Sequence, residues 1–185
     1  MRYHPVVVMP PGAVVLDLSG EAPEPVDWSI GRYDEVRGIY TQELFAGGRC
    51  VHMGIDLGAP AGTPVHAFDA GEVVAVADNQ APGDYGPTLL TAHQVDGEVL
   101  YVLLGHLSPP SLRHSPAGRR FGRGEVLGWI GSTGDNGGWP PHVHVQLARQ
   151  RPPTADLPGA VTLAQREDAR TRYPDPRQIL GRIYE

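Results

Sequence analysis

The chain has 185 residues, with 24 glycines, 19 prolines and a formal net charge of −6. That length supports one compact domain with its own core, while no run of some ~18 apolar residues offers a membrane span and no basic stripe offers a nucleic-acid surface. All 15 basic residues are arginines, which removes the lysine of a Schiff base or of a biotin or lipoate attachment, and the single Cys50 excludes an internal disulfide framework.

Short apolar runs broken by Gly and Pro predict a mainly β fold with minor helix. Residues 6–8 and 14–16 are candidates for two short strands around Pro10-Pro11-Gly12, and the Pro- and Glu-rich stretch 21–26 reads as an irregular surface loop. Pro5, Pro10 and Pro11 interrupt any apolar run long enough for a secretory signal, which predicts a cytoplasmic location. Residues 1–50 thus read as an N-terminal extension packed on the core that follows.

The core, residues 51–147, carries the dense β pattern. Val51, Met53, Ile55 and Leu57 alternate with His52, Gly54, Asp56 and Gly58. This period of two predicts a strand with His52 and Asp56 on one face and Gly54 between them. After a turn over 58–62, the stretches 65–67 and 71–77 read as short strands. Residues 89–95 and 98–107 flank Asp96-Gly97, a strong signal for a two-residue hairpin. Tyr85, set among glycines and prolines, either borders a groove or packs in a turn. A strand over 125–130 precedes a glycine-rich loop over 131–141, whose Asn136 and Trp139 are candidates for substrate contact. In the strand predicted over 142–147, His142, His144 and Gln146 share one face, and Val143, Val145 and Leu147 the other. Residues 148–185 read as a C-terminal tail with short helices over 164–171 and 177–183.

The chemistry concentrates in three segments: His52-Met53-Gly54-Ile55-Asp56, Gly105-His106-Leu107 and His142-Val143-His144. His52, Asp56 and one histidine of the 142/144 pair supply three protein ligands, the usual count of a catalytic zinc site that leaves a further position open. Two imidazoles and a carboxylate suit zinc better than calcium or magnesium, which prefer all-oxygen shells. His4, His66, His93 and His114 join no such pattern and read as histidines satisfied by ordinary hydrogen bonds.

The stretch His52-Met-Gly-Ile-Asp56-Leu-Gly-Ala-Pro-Ala-Gly-Thr-Pro-Val resembles the signature of the lysostaphin-type (LytM-domain) zinc metallopeptidases. Ala70-Gly71-Glu-Val-Val, Leu104-Gly-His106-Leu, Gly131-Ser-Thr-Gly and His142-Val-His144 resemble its further motifs, in order, over about residues 50–147. The resemblance implies an antiparallel β-sheet groove of the lysostaphin/LytM (duplicated hybrid motif) type. It implies zinc held by His52, Asp56 and His144, with His106 and His142 beside it as catalytic groups. It also implies a peptide or peptidoglycan fragment as substrate, rather than nucleic acid or membrane. The stretches 32–45, 78–87, 138–142 and 173–176 are similar to a branch of these modules found fused to kinase-like and class III aminotransferase domains.

Other function classes fit less well. Gly71-Glu-Val-Val and Arg123-Gly-Glu-Val-Leu-Gly resemble the hammerhead motif of biotinyl and lipoyl carriers, but there is no lysine to modify. Phosphotransfer through paired histidines leaves Asp56 unexplained. A non-catalytic binding or activator module, the main alternative, usually lacks metal ligands, whereas all five positions are present here. Gly54, Gly58, Gly105 and the loop over 131–138 leave little side-chain bulk near the proposed metal face. That predicts a slim strip for an extended peptide with small or D-residues at the scissile bond, and no deep pocket.

Overall fold

The computed structural model describes residues 2–185. Strands β1 (Val14–Val15), β2 (Ser29–Gly31), β3 (Arg49–His52), β4 (Ile55–Gly58), β5 (Pro64–His66) and β6 (Gly71–Asn79) come first. They are followed by β7 (Gly86–Val95), β8 (Glu98–Gly105), helix α1 (Pro109–His114), β9 (Arg120–Phe121), β10 (Val126–Trp129), β11 (His142–Ala148) and β12 (Ala160–Thr162). Helices α2 (Arg166–Arg172) and α3 (Arg177–Leu180) end the chain. Eight strands form one sheet in the order β1-β2-β4-β11-β8-β7-β6-β9, and β10 with β5, and β12 with β3, form two small ladders. All pairings are antiparallel except β1 with β2. The fold is therefore the mainly β, antiparallel architecture that the sequence predicts.

The hairpin of β7 and β8 turns at Asp96 (φ 51°) and Gly97 (φ 87°). Two positive φ values in a two-residue loop match the twist of the flanking strands, which is why Asp-Gly serves there. Strand β11 alternates as expected. Val143, Val145 and Leu147 enter the main apolar core with Ile55, Leu57, Leu89 and Leu104, so His142, His144 and Gln146 face the other way.

Several expectations change. The alternating stretch 51–58 is two strands, because the chain breaks at Met53-Gly54 and passes from the β12 ladder to the large sheet. The cause is a tertiary contact: a Cβ at Gly54 would lie 2.6 Å from Nε2 of His144, so the backbone bends around that imidazole. Residues 6–8 are not a strand, although Val6 and Val7 are buried and the Val6 carbonyl accepts from His66 N–H (2.8 Å). Pro5, with no N–H, cannot extend that pairing into a ladder. The 29–31, 120–121 and 160–162 strands and helix α1 carry too few residues to show a period. The N-terminal residues do more than pack on the core, since β2 ladders with β4 and sets Gly31 opposite Asp56.

Candidate metal centre

The site is assembled by strand register. Strand β11 lies between β4 and β8, and its ladders set His144 opposite Asp56 on one side and opposite Gly105 on the other. His52 reaches the same point from the end of β3. The ligating atoms of His52, Asp56 and His144 all lie within 4.8 Å of one another, and all three residues are buried.

The ring tautomers follow from their partners. His52 Nδ1–H donates to the Arg32 carbonyl (2.8 Å), so its Nε2 presents a lone pair. Gln146 donates its amide N–H to the Pro158 carbonyl (3.2 Å), which turns Gln146 Oε1 toward His144. His144 Nε2–H donates to that oxygen (3.0 Å), and so His144 Nδ1 also presents a lone pair. Those two nitrogens face each other at 3.0 Å. Asp56 Oδ1 stands 2.9 Å from one and 3.3 Å from the other. Three acceptors converge with no proton among them, an arrangement that repels itself without a cation at its centre. Two imidazoles, one carboxylate and outer partners that fix both tautomers form the donor set of a zinc site.

Burial favours the neutral His52 ring this requires. The loss of solvent, aided by the nearby Arg37 cation, pushes His52 down to about 4. Burial alone would raise Asp56, but His52, Arg37 and His142 outweigh it and hold the carboxylate well below its ordinary value.

His106 and His142 stand beside the cluster, their ring centroids 4.2 Å apart. His106 Nδ1–H donates to the Asn136 carbonyl (2.9 Å) and His142 Nδ1–H to the Pro140 carbonyl (2.7 Å). Each Nε2 is therefore free to accept a proton, and His142 Nε2 lies 3.7 Å from Asp56 Oδ1. Burial, followed by the neighbouring His142 and His144, lowers His106 well below its ordinary value. Burial lowers His142 too, against the pull of Asp56. His106 is also one of the few non-glycine residues with a positive φ, 60°; its N–H is held by the Tyr85 carbonyl (2.7 Å) and its carbonyl by Gly131 N–H (2.9 Å).

The two loop residues separate. Trp139 is half-buried and lines the cavity over the metal cluster, with its indole N–H donating to the Gly83 carbonyl (3.0 Å). Asn136 is 0% exposed, and its Oδ1 accepts from Trp139 N–H (3.0 Å). The substrate contact expected of Asn136 is therefore not available to it; it shapes the loop and seats His106. Tyr85 resolves as a buried prop under the site, its hydroxyl 3.0 Å from the Leu157 carbonyl and 3.3 Å from Gln146 Oε1.

The expected bare strip is also corrected. The room left by Gly105 is filled by the ring of Tyr85, whose Cδ1 would lie 2.7 Å from an added Cβ, and the room at Gly58 is filled by Ser29. These glycines make room for packed side chains instead of leaving space for a ligand. The cluster instead opens on a cavity of about 580 Å³, walled in part by Tyr40, Phe45 and Trp139. Tyr40 and Phe45 stack at 4.1 Å, and Trp139 meets Tyr40 edge-on at 6.0 Å.

Sequence reasoning missed Glu35, Arg37 and Tyr40. Arg37 is buried and donates through Nη1 to Asp56 Oδ2 (2.7 Å) and to the Tyr40 hydroxyl (3.0 Å). Glu35 accepts from Arg37 Nε (3.3 Å). No spacing relates these residues to the histidine motifs, so nothing short of the fold brings them together.

A β-sheet carrying a three-donor metal cluster with two flanking imidazoles defines a metallohydrolase-like centre. Residues 50–155 match Peptidase family M23, and the chain belongs to that family. DD-carboxypeptidase/endopeptidase Mpg of Neisseria meningitidis serogroup B and of Neisseria gonorrhoeae are each 38% identical over 96 residues, which cover 52% of this chain and 20% of theirs. The match therefore spans about a fifth of those relatives' length. The catalytic domain of lysostaphin from Staphylococcus simulans shares the fold, with a TM-score of 0.50 at 20% identity over 77% of this chain and 92% of that domain.

Proposed function

We propose that this protein is a zinc-dependent metalloendopeptidase acting on peptidoglycan-type peptides, with His52, Asp56 and His144 as the zinc ligands and His106 and His142 as catalytic groups. The observation that carries the reading is the convergence of three proton-free acceptors beside two more imidazoles with free Nε2 atoms. The printed name of the Neisseria relatives, DD-carboxypeptidase/endopeptidase, supports a stem peptide with D-residues as the substrate class.

Zinc, when bound, supplies Lewis acidity, polarising a peptide carbonyl and bringing the acidity of water near neutral pH. The chain does the rest. Burial keeps His106 and His142 neutral near pH 7, so an Nε2 takes the proton of the attacking water. The same Nε2–H then delivers that proton to the departing amine. Tyr40 accepts from Arg37, which leaves its own O–H to donate to the oxyanion that develops on the scissile carbonyl. Trp139, Phe45 and Tyr40 form an apolar wall against which the peptide backbone lies.

The test is digestion of purified muropeptides, of pentaglycine and of an all-L peptide with zinc-loaded protein. Cleavage of a bond flanked by small or D-residues, abolished by chelation, is the expected result. Full zinc occupancy with every peptide intact would favour a binding module instead.

A further inference from the structure

Asp56 is the one ligand of the cluster whose two oxygens do different things. Oδ1 faces His52, His142 and His144. Oδ2 is taken by Arg37 Nη1 at 2.7 Å. The same Nη1 lies 3.0 Å from the Tyr40 hydroxyl. Behind it, Arg37 Nε meets Glu35 Oε2 (3.3 Å), and Glu35 Oε1 is itself anchored by Leu18 N–H (3.3 Å) and Arg32 Nη1 (3.4 Å). A chain of charges thus runs from the partly exposed Arg32 through the buried Glu35, Arg37 and Asp56, and it ends on the metal cluster.

This chain is poorly explained as a stabilising ion pair. Arg37 is 5% exposed, and its Nη2 is buried with no hydrogen-bond partner. An orphaned buried donor costs about 1–3 kcal/mol, and buried ion pairs are often matched or bettered by apolar packing. The site even reserves room for the guanidinium. A Cβ at Gly31 would lie 2.6 Å from Arg37 Nη2 and 2.9 Å from Asp56 Oδ2.

We propose that Arg37 is a positioning residue that fixes Asp56 as a one-oxygen ligand and, through the same nitrogen, aims the Tyr40 hydroxyl into the cavity. With Oδ2 occupied, the carboxylate can neither rotate nor offer both oxygens to the ion, so a coordination position stays open for water and substrate. Glu35 balances the Arg37 charge, which limits its repulsion of a cation nearby. The inference rests on the zinc reading of the three donors.

Zinc affinity by chelator competition, the visible spectrum of the cobalt(II) form and the melting temperature of the metal-free chain test it. Arg37→Met is expected to weaken zinc about 10-fold or more, as outer partners of metal ligands do. It should also shift the cobalt spectrum toward the weaker absorption of a five-coordinate ion, as both Asp56 oxygens engage. Arg37→Lys, which returns one donor to Oδ2, is expected to restore the four-coordinate spectrum. A purely structural role would lower the metal-free melting temperature and leave the cobalt spectrum alone. Wild-type affinity and spectrum in Arg37→Met would overturn the proposal. If Arg37→Met does not fold, Glu35→Gln loosens Arg37 from behind, and a cobalt spectrum shifted toward the five-coordinate form supports the proposal while an unchanged spectrum overturns it. Failure of the wild-type chain to bind zinc would instead sink the metal reading itself.

Discussion

His93 on β7 and His144 on β11 belong to one sheet and are nearly equally buried, 3% and 2% exposed. Each ring nitrogen of His93 meets a group of the surrounding fold: the Ala70 carbonyl accepts from Nδ1–H (3.1 Å), and Nε2 meets the Thr91 hydroxyl (2.9 Å), whose one proton the ring shares with the Val102 carbonyl (3.1 Å). Phe68 and Phe121 pack around the ring, with centroids at 4.2 and 5.5 Å. His144 is satisfied at Nε2 alone, and its Nδ1 faces only other lone pairs. Burial and strand position do not separate the two. The difference is whether the surrounding groups supply the proton that each nitrogen lacks.

The largest effects should come from breaking that contrast. Purified protein is expected to carry about one zinc, and His144→Ala or Asp56→Ala to carry essentially none, since a site left with two protein ligands is no longer the usual three-ligand centre. His93→Gln should keep its full metal. Elemental analysis of the three variants decides, and stoichiometric zinc in both ligand variants would remove the assignment. The flanking pair comes next. His106→Ala and His142→Ala are expected to retain zinc while losing turnover by on the order of 10²-fold or more, the range for an acid–base group. Metal loss in His142→Ala, with metal kept in His144→Ala, would reverse the roles of that pair.

Acid titration sharpens the comparison at smaller scale. Burial pushes both His52 and His93 to about 4, below the ordinary 6.5. The unfolded chain therefore binds more protons between those values, so the metal-free protein keeps this stability above about pH 6.5 and loses it as pH falls through about 4. For His93 the loss amounts to roughly 3 kcal/mol at most. His93→Gln should flatten the melting temperature against pH for the metal-free protein, and a slope identical to wild type would count against a neutral buried His93. The smallest effect is expected at Tyr85→Phe. Removing a hydroxyl 3.0 Å from the Leu157 carbonyl should cost about 1–2 kcal/mol in thermal unfolding and leave zinc stoichiometry intact.

The sequence exposes what depends on short-range pattern. The strand around His144 and the face shared by His142, His144 and Gln146 follow from a period of two, the Asp96-Gly97 turn follows from its dipeptide, and the structure shows each of them. The break at Gly54 was hidden because its cause is the His144 ring, 90 positions away in the chain by numbering. Arg37 was hidden for the same reason: its backbone is held against β3, with Arg37 N–H donating to the Cys50 carbonyl (2.8 Å), and only that docking brings its side chain to Asp56 on β4. The glycines misled in an instructive way. Sequence shows that side chains are missing at Gly58 and Gly105 but not that Ser29 and Tyr85 occupy the space.

His106 puts folding and chemistry at odds within one residue. A left-handed backbone costs an L-residue about 1–2 kcal/mol relative to glycine, so the site holds a standing energetic incentive for its own loss. His106→Gly should melt higher than His106→Ala and could approach the wild type, while leaving no imidazole to move a proton. A library screened for thermal tolerance alone would therefore tolerate glycine or asparagine at this position and pass silent variants. Screens for hardier variants of this chain need a turnover readout beside the heat step from the first round.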